Sequence, residues 1–392
     1  MRVLPCLSVT EQLVVRGGDV LTPRGWEKAD VVVEDGKIRR VGKKAPKAET
    51  VEAEGAKVLP GLIDLQVNGA FGKSFSTATI AESVEIARRL AVFGTTSFLA
   101  TLISLPEKML VSALGRLAEA RAQEPSILGA HLEGPFLSPD RAGAHPPKNI
   151  RKPSLVEFSR LAGTGGGVVK MMTVAPEVEG AISLIAAGVK RDMVLSAGHT
   201  MAMKSDLEGA VRAGLTCVTH LYNAMRPMHH RDEGIAEAAL VDDRVAVCLI
   251  YDRQHVSRTV AELAWRCKPR EKLILVSDST GAMASPDGDH EYDGIKVQVS
   301  GGKVVLRGTT RLGGSAAPLI DGVRNIVEDL NVPFVRAWEM ASTNPAKLLG
   351  LEAAKGAIAP EYDADLVVLD EGWKVRTAVV GGRVLHGSAH PA

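Results

Sequence analysis

Five side chains in this sequence could carry out hydrolytic chemistry together if the fold brought them to one place. His131 and Glu133 stand in ILGAHLEG, His199 in MVLSAGHT, His220 in TCVTHLYN and Asp278 in LILVSDST. Imidazoles and a carboxylate are N/O ligands for a divalent metal, and a second carboxylate left over can act as base toward a metal-activated water. Taken singly, each also fits a structural role. A buried histidine finds a hydrogen-bond partner, Glu133 pairs with a lysine, and Asp278 caps a following helix. Position decides between the two readings, because all five close apolar runs that read as buried strands.

What the first such run lacks is equally informative. Many metal-dependent barrel hydrolases end strand one in His-x-His, which builds a second metal position; here the place reads Asp64-Leu65-Gln66-Val67-Asn68. Neutral amides are weak ligands for a divalent transition metal. Lys170 lies too early in the fourth run to be a bridging, carboxylated lysine. One divalent ion per chain is expected. N/O ligation suits Zn²⁺, and also Fe²⁺ or Co²⁺.

The elements that must position these residues are eight apolar runs, at 61–68, 96–103, 127–134, 168–177, 193–200, 216–223, 245–252 and 273–280. Amphipathic segments such as TIAESVEIARRLAVFG and SDLEGAVRAG lie between them. Eight nearly continuous apolar strands with helical crossovers predict an α/β fold, a (β/α)₈ TIM-type barrel, whose strand C-termini share one mouth. An open doubly wound sheet would usually have fewer strands and a glycine-rich phosphate loop after the first, and none is present. Both chain ends are β in character, with hairpin signals at Asp35-Gly36 and Gly381-Gly382. Neither end suffices for its own core. Residues 1–59 and 355–392 are therefore expected to pair into a small discontinuous β-sandwich domain flanking a hydrolase barrel over 60–354. After the eighth run, GIKVQVSGGKVVLRG reads as a hairpin-like insertion.

Composition removes other classes of function. Lys+Arg 47 against Asp+Glu 46 leaves a formal charge of +1, with no electrostatic footprint for nucleic acid or an anionic membrane. Cys6, Cys217, Cys248 and Cys267 form no C-x-x-C pair, and Cys217 and Cys248 sit in apolar runs as small hydrophobes. The apolar stretch Val3 to Val9 contains Pro5 and Ser8 and soon meets Glu11, too short for a signal peptide or a membrane span. A soluble, cytoplasmic protein is expected.

At PGLIDLQVNGAFG, HLEGPFLSPDRAGAH, SAGHT, THLYNAM and LVSDST, the chain resembles the N-acetylglucosamine-6-phosphate deacetylases of the amidohydrolase superfamily, in order and in spacing over essentially its whole length. The resemblance implies that Glu133, His199 and His220 bind the metal. Asp278 is implied as general base and then acid, and His145 as the residue that hydrogen-bonds the acetyl oxygen. Ala144, Asn223, Ala224, the DRQH segment from Asp252 to His255, and Leu312, Gly313 and Gly314 match substrate-contacting positions. Arg231 matches an arginine that meets the phosphate, often across a dimer interface, which implies a homodimer. The chain departs from the family at SDSTGAMAS and at Asp232-Glu233 after Arg231, positions that concern substrate loops. The implied substrate is a small amino-sugar phosphate, in amino-sugar catabolism.

Three alternatives differ in what they require. A cyclic-amide hydrolase usually uses two metals, against Gln66 and Asn68. A deacetylase for N-acetylgalactosamine 6-phosphate would carry the same chemistry on an epimer. A non-catalytic sugar-phosphate-binding relative would be expected to have lost ligands or base, yet Glu133, His199, His220 and Asp278 are all present.

Overall fold

Eight apolar runs become the eight strands of one parallel sheet in the computed structural model, which describes residues 12–390. Cys6 and the stretch Val3 to Val9 lie outside the described residues. The barrel strands are Leu62–Val67, Thr95–Leu102, Ile127–Glu133, Val169–Val174, Val194–Ala197, Cys217–Val218, Ala246–Leu249 and Leu273–Leu275, each paired with its sequence neighbour. A parallel bridge from Val67 to Ser279 joins last to first, where the Asn68 N–H donates to the Ser279 carbonyl over 2.7 Å. The (β/α)₈ expectation holds.

Each strand is followed by a helix, and the first shows why the sequence folds this way. Thr79 caps Ile80–Leu90 by accepting from the Glu82 N–H, while the Glu82 carboxylate accepts from the Thr79 N–H. Such a reciprocal cap contributes about 1 kcal/mol. Ser83, Val84, Ile86, Ala87 and Leu90 turn inward at helical spacing, and Leu90 ends the helix one turn before strand two. The barrel interior is packed rather than hollow, with Ile63, Leu65, Leu99, Met171, Ile274 and Val276 in one cluster. Cys217 and Cys248 belong to that cluster with sulfurs 3.6 Å apart, as buried apolar fillers.

The two chain ends meet as expected. Lys57–Pro60 pairs antiparallel with Leu366–Leu369, joining N-terminal and C-terminal strands into one eight-stranded sheet. Gln12–Thr22 is central to it. Glu49–Glu52 pairs with its first half and Lys57–Pro60 with its second, on either side of a register shift between Val15 and Gly18. Leu13, Val15, Val31, Ile38, Val58, Leu366 and Val368 form a core separate from the barrel's.

The insertion after strand eight is larger than a hairpin. Gly288–Tyr292, Ile295–Ser300 and Lys303–Leu306 make a three-stranded antiparallel flap, and the chain then returns along it, with Leu312 bridged to Val305. Val297, Val299 and Val304 are buried beneath it together with Ala282.

Candidate active site

Glu133 is the last residue of strand three, and His199, His220 and Asp278 lie two or three residues beyond the ends of strands five, six and eight. Those three share an uncommon backbone, with φ of +47°, +30° and +48°. Left-handed conformations are costly for residues with a β-carbon and persist where surrounding structure over-determines them, typically at functional sites. The side chains of His199 and His220 both reach Glu133, and Asp278 lines the same cavity.

Glu133 Oε1 lies 3.0 Å from His199 Nε2 and 2.9 Å from His220 Nε2, and the two nitrogens are 3.1 Å apart. This triangle is near the roughly 3.3 Å ligand spacing of tetrahedral Zn²⁺ with bonds of about 2.0–2.1 Å. Hydrogen bonding alone does not account for it. His199 Nδ1 sits 2.9 Å from the Arg141 carbonyl, which can only accept, so that nitrogen carries the proton of the neutral ring and Nε2 presents a lone pair. A lone pair aimed at a carboxylate oxygen is repulsive without a cation between them, and an imidazole braced by a carbonyl is the usual support of a metal ligand. His220 Nδ1 is buried without a partner. The donor set fits a divalent metal.

Glu133, His145 and His199 also have donor atoms within 4.8 Å of one another. His145 is the poorer ligand of the two candidates. The Ser104 N–H donates to its Nδ1 over 3.1 Å, so the proton of the neutral ring is on Nε2, which lies 3.6 Å from Glu133 Oε2. His145 is thus a donor at this site. Burial, and then the charge His199 would carry, hold its pKa below the ordinary value and keep it neutral.

The charges follow from position. Burial alone would push Glu133 up, but the imidazoles of His145, His199 and His220 around it outweigh burial and hold the carboxyl well below the usual range. Asp278 goes the other way. Burial and then the charge of Glu133 push it up to about 8, against the opposing pull of His220 and the Asn68 amide. A group titrating near neutrality suits a part that accepts a proton and returns it.

Gln66 and Asn68 act here as supports. Gln66 Nε2 donates to Glu133 Oε1 over 3.1 Å, and Asn68 Nδ2 donates to Asp278 Oδ1 over 2.9 Å. The sequence marked both only as missing ligands.

One cavity of about 560 Å³ is lined by Glu133, His145, His199, His220 and Asp278 together with Ala144, Asn223, Ala224, His255, Leu312, Gly313 and Gly314. Two glycines there are needed for close approach. A β-carbon on Gly143 would stand 2.9 Å from His199 Cε1, and one on Gly314 would stand 2.4 Å from Thr280 Cγ2.

Three residues fall elsewhere. His131 is buried in the barrel, with Nδ1 3.0 Å from the Leu65 carbonyl and Nε2 2.8 Å from Thr173 Oγ1, and burial pushes its pKa down to about 4. It is a satisfied core histidine and does not line the cavity. Asp252 also stops short of the cavity; its Oδ2 meets His255 Nδ1 at 2.8 Å and orients that ring. Arg231 is exposed, does not line the cavity of its own chain, and has Nη1 3.0 Å from His230 Nε2. Residues that carried no signal in the sequence also contribute, among them Ser104, Arg141 and the flap residues Tyr292, Ile295 and Val297. No described helix is long and apolar enough to cross a membrane.

The chain is similar to known proteins along nearly its full length. It is 35% identical to the N-acetylglucosamine-6-phosphate deacetylase of Bacillus subtilis, over 96% of this chain and 98% of that one. It is 32% identical to the N-acetylgalactosamine-6-phosphate deacetylase of Escherichia coli O157:H7, over 95% and 98%. Among solved structures, a mutant N-acetyl-D-glucosamine-6-phosphate deacetylase from Mycobacterium smegmatis, in complex with N-acetyl-D-glucosamine-6-phosphate, superposes with a TM-score of 0.88 at 32% identity, covering 97% of this chain and all of that one. The profile of the amidohydrolase family matches residues 57–385, from the strand that precedes the barrel to the last strand of the terminal sheet. With that match spanning both the barrel and its flanking sheet, the chain belongs to the amidohydrolase family.

Proposed function

We propose that this protein hydrolyses N-acetyl-D-glucosamine 6-phosphate to D-glucosamine 6-phosphate and acetate, as a cytoplasmic homodimer in amino-sugar catabolism. The observation that carries this reading is the approach of His199 Nε2 and His220 Nε2 to one oxygen of Glu133, beside a second carboxylate, Asp278, in the same cavity.

Glu133, His199 and His220 would hold one divalent ion, Zn²⁺ being the best fit to N₂O ligation, with Fe²⁺ or Co²⁺ as alternatives. When bound, such an ion lowers the pKa of a water to ~7 and polarises an acyl oxygen. Gln66 keeps the Glu133 carboxylate in orientation. Asp278, steadied by Asn68, accepts the proton of the attacking water and gives it to the departing amine, which leaves only when protonated. His145 donates from Nε2 to the acyl oxygen as charge gathers there. Asn223, Ala224, Ala144 and the segment Leu312-Gly313-Gly314 line the sugar's path, and His255, held by Asp252, faces it. Arg231 would serve a neighbouring chain's mouth. If so, mixing an Arg231→Ala chain with an Asp278→Asn chain restores part of the activity through dimers holding one complete site.

A specific observation favours keeping a second substrate in view. Relatives named for the gluco and galacto epimers match the chain about equally, at 35% and 32% identity. Acetate release from the two epimeric 6-phosphates, measured side by side, tests the choice. Preference for the galacto epimer would replace the proposed substrate while keeping the chemistry.

A further inference from the structure

The cavity has a charge problem that the deacetylase reading leaves open. A hexose phosphate brings about two negative charges, and away from the metal-binding end the lining holds two further carboxylates, those of Asp140 and Asp293. Among the described residues, the lysines and arginines of the lining are Arg141 and Arg311 alone. Arg141 stands at the catalytic end, beside His199. Its carbonyl braces His199, and its Nε lies 2.8 Å from the Met201 sulfur.

Arg311 is placed differently. It lies on the return segment that pairs with the flap, where the Leu306 N–H donates to the Arg311 carbonyl and the Gly313 N–H to the Val304 carbonyl. The antiparallel bridge between Val305 and Leu312 sets the register, so Arg311 stands opposite Leu306 and Gly313 opposite Val304. Strand alternation then puts Arg311 on the same face as Leu306, Val304, Val297 and Val299. His290, paired with Val297, and Tyr292, paired with Ile295, are the other polar side chains of that face, and Tyr292, Ile295, Val297, Arg311 and Gly313 from it all line the cavity. Among the described residues no carboxylate lies within 4.0 Å of Arg311, although most exposed arginines of the chain have such a partner.

We infer that Arg311 is a phosphate-recognition residue supplied by the chain's own flap, binding the 6-phosphate of the sugar in cis and setting the preference for phosphorylated over neutral amino sugars. This rests on the reading of the site as an amino-sugar phosphate deacetylase. The guanidinium offers a planar fork of donors to two phosphate oxygens from the rim of the cavity. It is independent of any arginine given by a second chain, since the segment that carries it folds back over the mouth of the same barrel.

The test pairs binding with turnover in the metal-loaded protein. Calorimetric titration with glucosamine 6-phosphate and with glucosamine measures the preference for the phosphate directly. Arg311→Gln, an exposed substitution that leaves the fold intact, should weaken binding of the phosphate ester about 10-fold or more and leave glucosamine binding unchanged. In turnover, KM for N-acetylglucosamine 6-phosphate should rise by the same factor with kcat within about twofold, and Arg311→Lys should recover part of the loss. Unchanged affinity for the phosphate ester in Arg311→Gln overturns the inference while leaving the deacetylase reading intact. An equal loss for both sugars also overturns it, by assigning Arg311 a structural part. A wild-type protein that prefers the phosphate ester through Arg311 yet releases no acetate would overturn the deacetylase reading alone.

Discussion

The backbone N–H of Ser104 donates to Nδ1 of His145 over 3.1 Å, with the Ser104 hydroxyl at 3.0 Å from the same nitrogen. A main-chain amide cannot reverse its role, so the ring's own proton stays on Nε2, the nitrogen directed toward Glu133. A loop residue beyond strand two thereby determines what a residue forty-one positions later can do. His145→Ala should lower kcat by ~10²-fold with little change in KM, the magnitude of losing one oxyanion donor. His145→Gln, whose amide can still donate, should recover part of that loss. Steady-state kinetics of the two variants check this; equal activity of both with wild type would remove the donor from the account.

Asp278 should be separable from the metal ligands. Asp278→Asn keeps the size and still meets Asn68 but cannot accept or return a proton. Turnover should fall at least ~10²-fold while metal content by elemental analysis stays at the wild-type level. Loss of the metal in this variant would make Asp278 a ligand instead.

Stoichiometry follows from strand one. Gln66 and Asn68 donate to the site's two carboxylates, and their neutral amide oxygens are weak ligands for a divalent transition metal, so strand one builds no second strong position. One tightly held divalent equivalent per chain is expected. Two tight equivalents, both lost with His199→Ala, would contradict the single-metal arrangement.

Asp64 gives a stability prediction with a definite sign. It is fully buried and accepts from the Gln66 and Ser277 N–H groups at 3.2 Å, yet burial pushes its pKa from 3.8 up to about 6. The folded chain therefore holds this proton more tightly than the unfolded one. Its contribution is complete below about pH 4 and is lost as pH rises through about 6. Asp64→Asn keeps an acceptor without the charge. Relative to wild type, the variant should gain stability from pH 4 to pH 7, by an amount on the order of 2–3 kcal/mol. Thermal melts across that range test it. A difference independent of pH, or one that grows toward acid, would reject the buried-charge explanation.

Much of this architecture was legible because strand and barrel impose a rule. A closed parallel barrel gathers the C-terminal ends of its strands at one mouth, and Glu133, His199, His220 and Asp278 meet there. The same rule misled at His131. It sits two positions before Glu133 on the same side of the strand, and that step carries its ring one layer deeper, onto Thr173 and the Leu65 carbonyl. The left-handed turns at His199, His220 and Asp278 leave no trace in sequence, since none is glycine or asparagine. Asp252 stood near the right segment, but whether a loop side chain reaches the cavity depends on where its loop packs. The flap's return over the mouth is a tertiary event, and for that reason the value of Arg311 could not be read from its neighbours in the chain.

The most direct test of the central claim is acetate release from N-acetylglucosamine 6-phosphate by the purified protein, before metal removal, after chelation and after adding back one equivalent of Zn²⁺. The account predicts turnover, its loss on chelation and its return with the metal. Full turnover in the thoroughly chelated protein, or none with metal bound to Glu133, His199 and His220, would contradict it.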